Sequence, residues 1–397
     1  MHTLQRRTFL GQTLLAAGGL AGLTPCAARA GDARLPQPAP PTVWQKHGVV
    51  LDDAKGRVQN FTSAVEPIEQ DRWRLWYTAT DADKTRNIGF AEGKPGEPMR
   101  RYLAVLSTGE PADAPFALGN LPEGWRPVQG VHLHLHNGRH RIYFWAHGPK
   151  VVRYLVAESE DGRRYRVLDP LRGCLYHPQD RAVDGRAAAE AGLKRLAGKK
   201  AAPVAGERLA PARIVSNDAT NVYQLADGSF EMYSVGLVEV ARGAAGFVAQ
   251  DNAAGWLRVI DRYTSADGLD WTERRRVIVR DKQDPLDLQF YYLAVTHTPQ
   301  GRLGMLGHYR VEAQTQDLEW CFSSDGITWQ RPSRGPWIAR GKPPEPDCYG
   351  IYGPHALVAR GGLWHLFYTG VNAAHNHKHS YGRDTQVVMY ATCEQKT

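Results

Sequence analysis

Three stretches of the chain share one phrase: Ser159-Glu-Asp161-Gly162-Arg-Arg-Tyr165, Ser265-Ala-Asp267-Gly268-Leu-Asp-Trp271 and Ser323-Ser-Asp325-Gly326-Ile-Thr-Trp329. A recurring Ser-x-Asp-Gly-x-x-aromatic unit means that one supersecondary element is used repeatedly, which restricts the chain to architectures assembled from repeats. A second phrase, a turn followed by an aromatic strand, recurs at 70–77, 137–144, 227–233, 300–306 and 360–368. Asn-Gly and Asp-Gly supply the positive φ angles of tight hairpins, and the aromatic residue that follows packs between neighbouring sheets. Helical periodicity is nearly absent, and short apolar runs alternate with Gly, Asp, Asn and Pro turns. A four-stranded sheet cannot cover both of its faces alone, so repeated sheets stack around an axis. The pattern predicts an all-β fold, a five-bladed β-propeller of four-stranded antiparallel blades.

The blades are expected at about 58–110, 127–170, 213–282, 287–340 and 350–393, with residues 40–52 as a closing strand. One domain then spans 31–397, interrupted at about 180–210 by an Ala- and Lys-rich insertion with the composition of a short helix. Residues 1–30 read as a signal peptide: Arg6 and Arg7 precede Thr8-Phe-Leu10, a weakly apolar stretch follows, and Ala28-Arg-Ala30 is a small-residue cleavage site. The paired arginines are of the twin-arginine type, so the expected destination is the periplasm or the medium.

Removing Arg6, Arg7 and Arg29 from a formal net charge of +8 leaves +5. So small an excess is no nucleic-acid footprint, and no later apolar run is long enough to span a membrane. It suits an anionic glycan. Cys174, Cys321, Cys348 and Cys393 fit no zinc spacing; one or two disulfides or buried free thiols are both compatible with export.

In such a fold the innermost strand of each blade lines a central funnel, and the strand starts converge from separate blades. The segments just upstream of the aromatic strands are unusually polar for central strands: Ser216-Asn-Asp218-Ala-Thr-Asn221, Asp287-Leu-Gln289-Phe-Tyr291 and Tyr352-Gly-Pro-His355. Period-two alternation puts Asp287, Gln289 and Tyr291 on one face. His132, His134 and His136 also share a face, but neighbouring side chains of one strand splay apart, and His375, His377 and His379 share one loop. Neither trio makes a convincing metal site, and no metal or other cofactor is expected.

The phrases Trp76-Tyr77-Thr78, Phe367-Tyr368-Thr369-Gly370 and the Asp-Gly-x-x-Trp units resemble those of the five-bladed propeller glycosidases, which include glycoside hydrolase families 32, 43, 68, 117 and 130. The resemblance spans most of residues 45–393. It is strongest to family-32-like bacterial proteins, through the segments 216–221, 262–271 and 324–332. It implies an exported glycoside hydrolase acting on an oligo- or polysaccharide by general acid and base catalysis from funnel carboxylates. The family's early aspartate has no counterpart, since the matching stretch is Asn60-Phe-Thr-Ser-Ala-Val-Glu66. By position, Asp218 and Asp287 are the expected catalytic pair with Glu66 as a third acid. Asn221, Gln289, Tyr291, His132, Tyr352 and His355 are expected to hold the sugar. Two rival readings are a polysaccharide lyase with a His or Tyr base and a glycan-binding propeller without catalysis.

Overall fold

The computed structural model describes residues 43–52, 57–69, 71–80, 86–94, 97–177, 180, 203–209, 219–244, 248–249, 251, 253–376, 379–381 and 385–395. Every regular element among them is a strand. Strand β1 (Gln45–Leu51) pairs antiparallel with the last strand of the chain. The first sheet is an antiparallel meander of β2 (Arg57–Pro67), β3 (Trp73–Thr80), β4 (Arg86–Gly93) and β5 (Arg100–Leu103). The second holds β6 (Val105–Leu106), β7 (Ala117–Gly119), β8 (Arg126–His134), β9 (His140–Gly148), β10 (Val151–Ser159), β11 (Arg164–Val167) and β12 (Leu175–Tyr176). Its order is β6-β7-β11-β10-β9-β8, with β12 also on β10. Two of its pairings, β7 with β11 and β6 with β7, are parallel, because the connection from the first sheet runs along its outer edge.

The third sheet is β13 (Arg208–Leu209), β14 (Thr220–Gln224), β15 (Phe230–Glu239), β16 (Trp256–Ser265) and β17 (Glu273–Ile278), ordered β13-β17-β16-β15-β14. The last joins two meanders. One is β18 (Leu288–Thr298), β19 (Gly301–Arg310) and β20 (Thr315–Ser323). The other is β21 (Gly350–Tyr352), β22 (Val358–Arg360), β23 (Leu363–Val371) and β24 (Gln386–Glu394), closed by β1. A single parallel pair, Gln316 with Gly350, links the two meanders. The helical composition at 180–210 falls mostly outside the described residues; within it, Arg208–Leu209 forms β13 on the edge of β17.

The apolar clusters run between successive sheets. Trp76 and Phe90 of the first sheet pack with Phe116, Phe144 and Tyr165 of the second. Tyr143, Trp145 and Tyr154 of the second pack with Met232, Tyr263 and Trp271 of the third. The largest cluster joins Tyr233 and Ile260 to Phe290, Leu306, Ile351 and Tyr368. Trp73 and Tyr77 meet Phe367 and Tyr390 of the last meander, so the packing returns to its beginning. Along the inside, β8 packs against β2 and β14, β14 against β18, and β2 against β21.

The repeated phrase forms the same turn each time. Ser265 Oγ accepts the Gly268 amide at 2.9 Å, and Asp267 Oδ1 accepts the amides of Leu269 at 2.8 Å and Asp270 at 2.9 Å. Burial opposes the charge on Asp267, but the amide donors prevail and hold its carboxyl below the usual range. Gly162, Gly268 and Gly326 take φ of 69°, 75° and 75°, in the left-handed region that costs other residues energy. Gly268 is also in close approach: a Cβ there would overlap Tyr143 Oη and lie 2.8 Å from Arg141 Nη1. Gly228 has φ of 87° with nothing within 4 Å of such a Cβ.

These two glycines separate backbone strain from inter-sheet contact. Gly228→Ala is expected to cost about 1 kcal/mol, the left-handed penalty alone. Gly268→Ala should cost about 3 kcal/mol, because the methyl group also displaces Tyr143 and Arg141. Urea unfolding of the two variants against wild type measures the difference, and equal losses would refute the docking role.

Candidate functional site

Neighbouring inner strands run in the same direction. Asn221 Nδ2 donates to Leu293 O at 2.9 Å and Tyr223 Oη accepts the Val295 amide at 2.7 Å, so β14 and β18 advance together. Glu66 near the end of β2 meets His134 at the end of β8. These inner strands therefore share an end where strands start and an end where hairpins turn.

A buried polar cluster lies where β18 starts. Gln289 Oε1 accepts from Arg258 Nη1 at 2.6 Å, while Gln289 Nε2 donates to Asp251 Oδ2 at 2.9 Å. Arg258 Nη1 also donates to Asp251 Oδ2 at 2.8 Å. All three residues are buried. A buried cation is tolerated when its charge is met, and Asp251 and Gln289 both take Arg258 Nη1 here. The guanidinium carbon of Arg258 sits 5.4 Å from the Tyr291 ring centre and 5.3 Å from that of Tyr309, within cation–π range. His375, in the loop after β23, packs on Tyr309 at 4.6 Å and Tyr291 at 5.1 Å. Its Nδ1 lies 2.9 Å from Tyr352 Oη. Gln314 Nε2 donates to Tyr309 Oη at 2.8 Å. Burial, reinforced by the charge of Asp251, pushes the Tyr309 hydroxyl up to about 12, and burial pushes Tyr352 well above the usual phenol range.

Gln289, Tyr291 and Tyr352 are thus brought together, from β18 and β21. Asp287 stands one residue before β18, buried, with Oδ1 accepting from Arg310 Nη2 at 2.6 Å and Nε at 3.0 Å, and Oδ2 from Nε at 3.1 Å. This fork ties the start of β18 to the end of β19. Asp218 lies outside the described residues. Asn221 spends its amide on β18, and His355 donates from Nε2 to Val222 O at 2.7 Å while stacking on Tyr223 at 4.3 Å. His132 stacks on Trp76 at 3.6 Å with its Nε2 3.1 Å from His140 Nδ1. Glu66 is at the hairpin end, opposite Arg74 in the β2–β3 register, and does not join the cluster around Arg258. The described cysteines Cys174, Cys321, Cys348 and Cys393 are buried free thiols.

Arg258, Asp251, Tyr309 and His375 were not singled out as members of this site in the sequence. The signal for Arg258 was there, a lone arginine at a strand position between Leu257 and Val259. The other inner strands add one more feature: Gln129 near the start of β8 has φ of 50°, its amide donates to Thr78 Oγ1 at 2.9 Å, and its Oε1 is buried without a partner among the described residues. Left-handed non-glycine residues and orphaned buried oxygens both concentrate at functional sites.

No protein-family model and no curated protein matches the chain. Solved structures do match over most of its length. A protein solved as an RGII complex aligns with a TM-score of 0.54 at 12% identity, covering 88% of this chain and 91% of that one. A glycoside hydrolase aligns at 0.53 and 12%, covering 90% and 92%. A thermostable family-43 glycoside hydrolase aligns at 0.51 and 10%, covering 84% and 91%. At such identity the likeness is one of fold.

His355 makes the packing between β14 and the last sheet pH-dependent. Burial holds its imidazole at about 4, below the ordinary 6.5. Below pH 6.5 the unfolded chain takes up a proton that the folded chain refuses until about pH 4, so stability falls with falling pH across that window. Between pH 7 and pH 5 this single group should remove about 2 kcal/mol. His355→Gln, which keeps a donor for Val222 O, is expected to flatten the decline by that amount in denaturant titrations at the two pH values.

Proposed function

We propose that this chain is an exported glycoside hydrolase, built as a five-bladed propeller whose site lies at the strand-start end. The blades are the meanders starting at β2, β8, β14, β18 and β21, the last two joined in one sheet through the parallel pair of Gln316 and Gly350. The single observation that carries the reading is the convergence of Arg258, Gln289, Tyr291, Tyr309, Tyr352 and His375 from four strands and a loop at that end, in a fold it shares with glycoside hydrolase structures. Asp218 and Asp287 are the proposed acid–base pair, because in the sequence they come two residues before β14 and one before β18, strands that are neighbours in space. The tyrosines and Gln129 would bind sugar faces and hydroxyls. Residues 1–30 are the proposed twin-arginine-type signal, and a periplasmic or extracellular glycan is the proposed substrate. The RGII complex of one structural neighbour is consistent with a glycan.

A second reading is favoured by one observation, the hydrogen bond between Tyr352 and the half-buried His375 beside the Arg258 cation. A lyase needs such a base near a cation that neutralises a uronate carboxylate.

Purified protein incubated with anionic and furanose-containing glycans separates the readings. Hydrolysis should release reducing ends without ultraviolet-absorbing unsaturated products, and Asp218→Asn and Asp287→Asn should each lower turnover by about 10² or more. If both variants turn over like wild type, the hydrolase assignment fails. Unsaturated products that disappear in Tyr352→Phe or His375→Ala would replace it with the lyase, and binding without turnover would replace both with a glycan-binding module.

A further inference from the structure

The other concentration of ligating side chains lies at the hairpin end, away from the proposed sugar site. Glu66 comes from the end of β2, His134 from the end of β8 and His140 from the start of β9, across the 135–139 turn. Ligand atoms of these three residues all lie within 4.8 Å of one another. Glu66 Oε1 is 3.3 Å from His134 Nδ1, and two ligands about 2.0–2.1 Å from one tetrahedral ion stand about 3.3 Å apart. That pair is already at ligand spacing. His134 is exposed and stacks at 4.4 Å on His140, which is buried.

Two further observations point to a ligand. Glu66 Oε2 is buried and has no hydrogen-bond partner among the described residues. Arg74, opposite Glu66 in the strand register, donates from Nε to Glu92 Oε1 at 2.9 Å. His140 in turn is held from behind: its Nδ1 is 3.1 Å from His132 Nε2, and His132 is fixed flat against Trp76. With Nδ1–H of His140 donating to His132, the Nε2 lone pair of His140 is left to coordinate. Ligating histidines are characteristically oriented this way, by a hydrogen bond from the second ring nitrogen to a fixed acceptor.

We propose that Glu66, His134 and His140 form a binding site for one divalent transition-metal ion of the zinc type, with the fourth coordination position open to solvent. Two imidazoles and one carboxylate suit zinc, whereas calcium and magnesium select oxygen ligands. The ion would clamp the end of β2 to the β8–β9 hairpin and so pin the first sheet to the second. The three-residue set has no residue in common with the proposed sugar site, so the metal can bind whether or not the glycan reading holds.

Untagged protein stripped with a chelator is titrated with Zn²⁺ and separately with Co²⁺. One equivalent should bind, Co²⁺ should show the intense visible bands of a four-coordinate ion, and Zn²⁺ should raise Tm until one equivalent is present. His134→Ala, at an exposed position that tolerates truncation, and Glu66→Gln should each weaken Zn²⁺ binding at least tenfold and remove the rise in Tm. His136→Ala and His379→Ala, outside the set, should leave both intact. The proposal is overturned if the stripped wild type binds no equivalent, if His134→Ala binds like wild type, or if His379→Ala is the variant that loses the metal.

Discussion

The structure depends on a turn of one sheet docking against the face of the sheet before it. Tyr143 Oη donates to Gly268 O at 3.0 Å and Arg141 Nη1 to Asp267 O at 2.8 Å, so the second sheet grips the backbone of the third. Tyr233 of the third sheet reaches Gly326 O of the next at 3.4 Å. At the first boundary Arg163, inside the turn of the second sheet, donates to Glu92 of the first at 2.7 Å. The contacts of the third and fourth sheets need a carbonyl presented by a turn whose Ser and Asp have already satisfied their own amides, and a glycine with no side chain in the way. Sheets that meet so can bury both faces, and no sheet has to form a core alone.

Charged groups reinforce the same boundaries. Glu231 on β15 is fully buried and is met by Arg262 at 2.8 Å, by Arg302 of the next sheet at 2.8 Å and by His297 at 2.8 Å. Burial works against its charge, but the donors from His297 and Arg302 hold its carboxyl down to about 2. Desolvation makes such pairs poor sources of net stability, but removing one partner is costly because it leaves a buried charge uncompensated. Asp261 is paired in the same way with Arg274 and Arg276 within the third sheet.

The repeats were legible because turn chemistry is local. Ser, Asp and Gly at fixed offsets specify a turn whatever surrounds it, and the register of the whole chain follows. The strand-start rule found Gln289, Tyr291 and Tyr352 for the same reason. It could not distinguish Asn221, which spends its amide on β18, from an amide free to bind sugar, because alternation gives the face of a side chain and not what stands opposite. Glu66 shows another limit: it is six residues beyond Asn60 on the same strand, past two irregularities of the β2–β3 register, which carries it towards the hairpin end. Arg258 and His375 come from a third strand and a loop, and only folding brings them beside Tyr291.

Strand parity explains why the repeated phrase and the polar cluster are so far apart in kind. In an antiparallel meander the links from first to second strand and from third to fourth both fall at the hairpin end. The Ser-x-Asp-Gly turns are third-to-fourth links, as β10 to β11 and β16 to β17 show. They share that end with the 135–139 and 225–229 hairpins and are short because they must dock. The second-to-third links and the crossings between sheets fall at the opposite end and carry no docking requirement. Two of those links, 240–255 and 372–385, supply Asp251 and His375 to the cluster around Arg258. The repeat is uniform where geometry is shared by every sheet, and the sequence diverges at the end where loops are free to lengthen and carry side chains for binding.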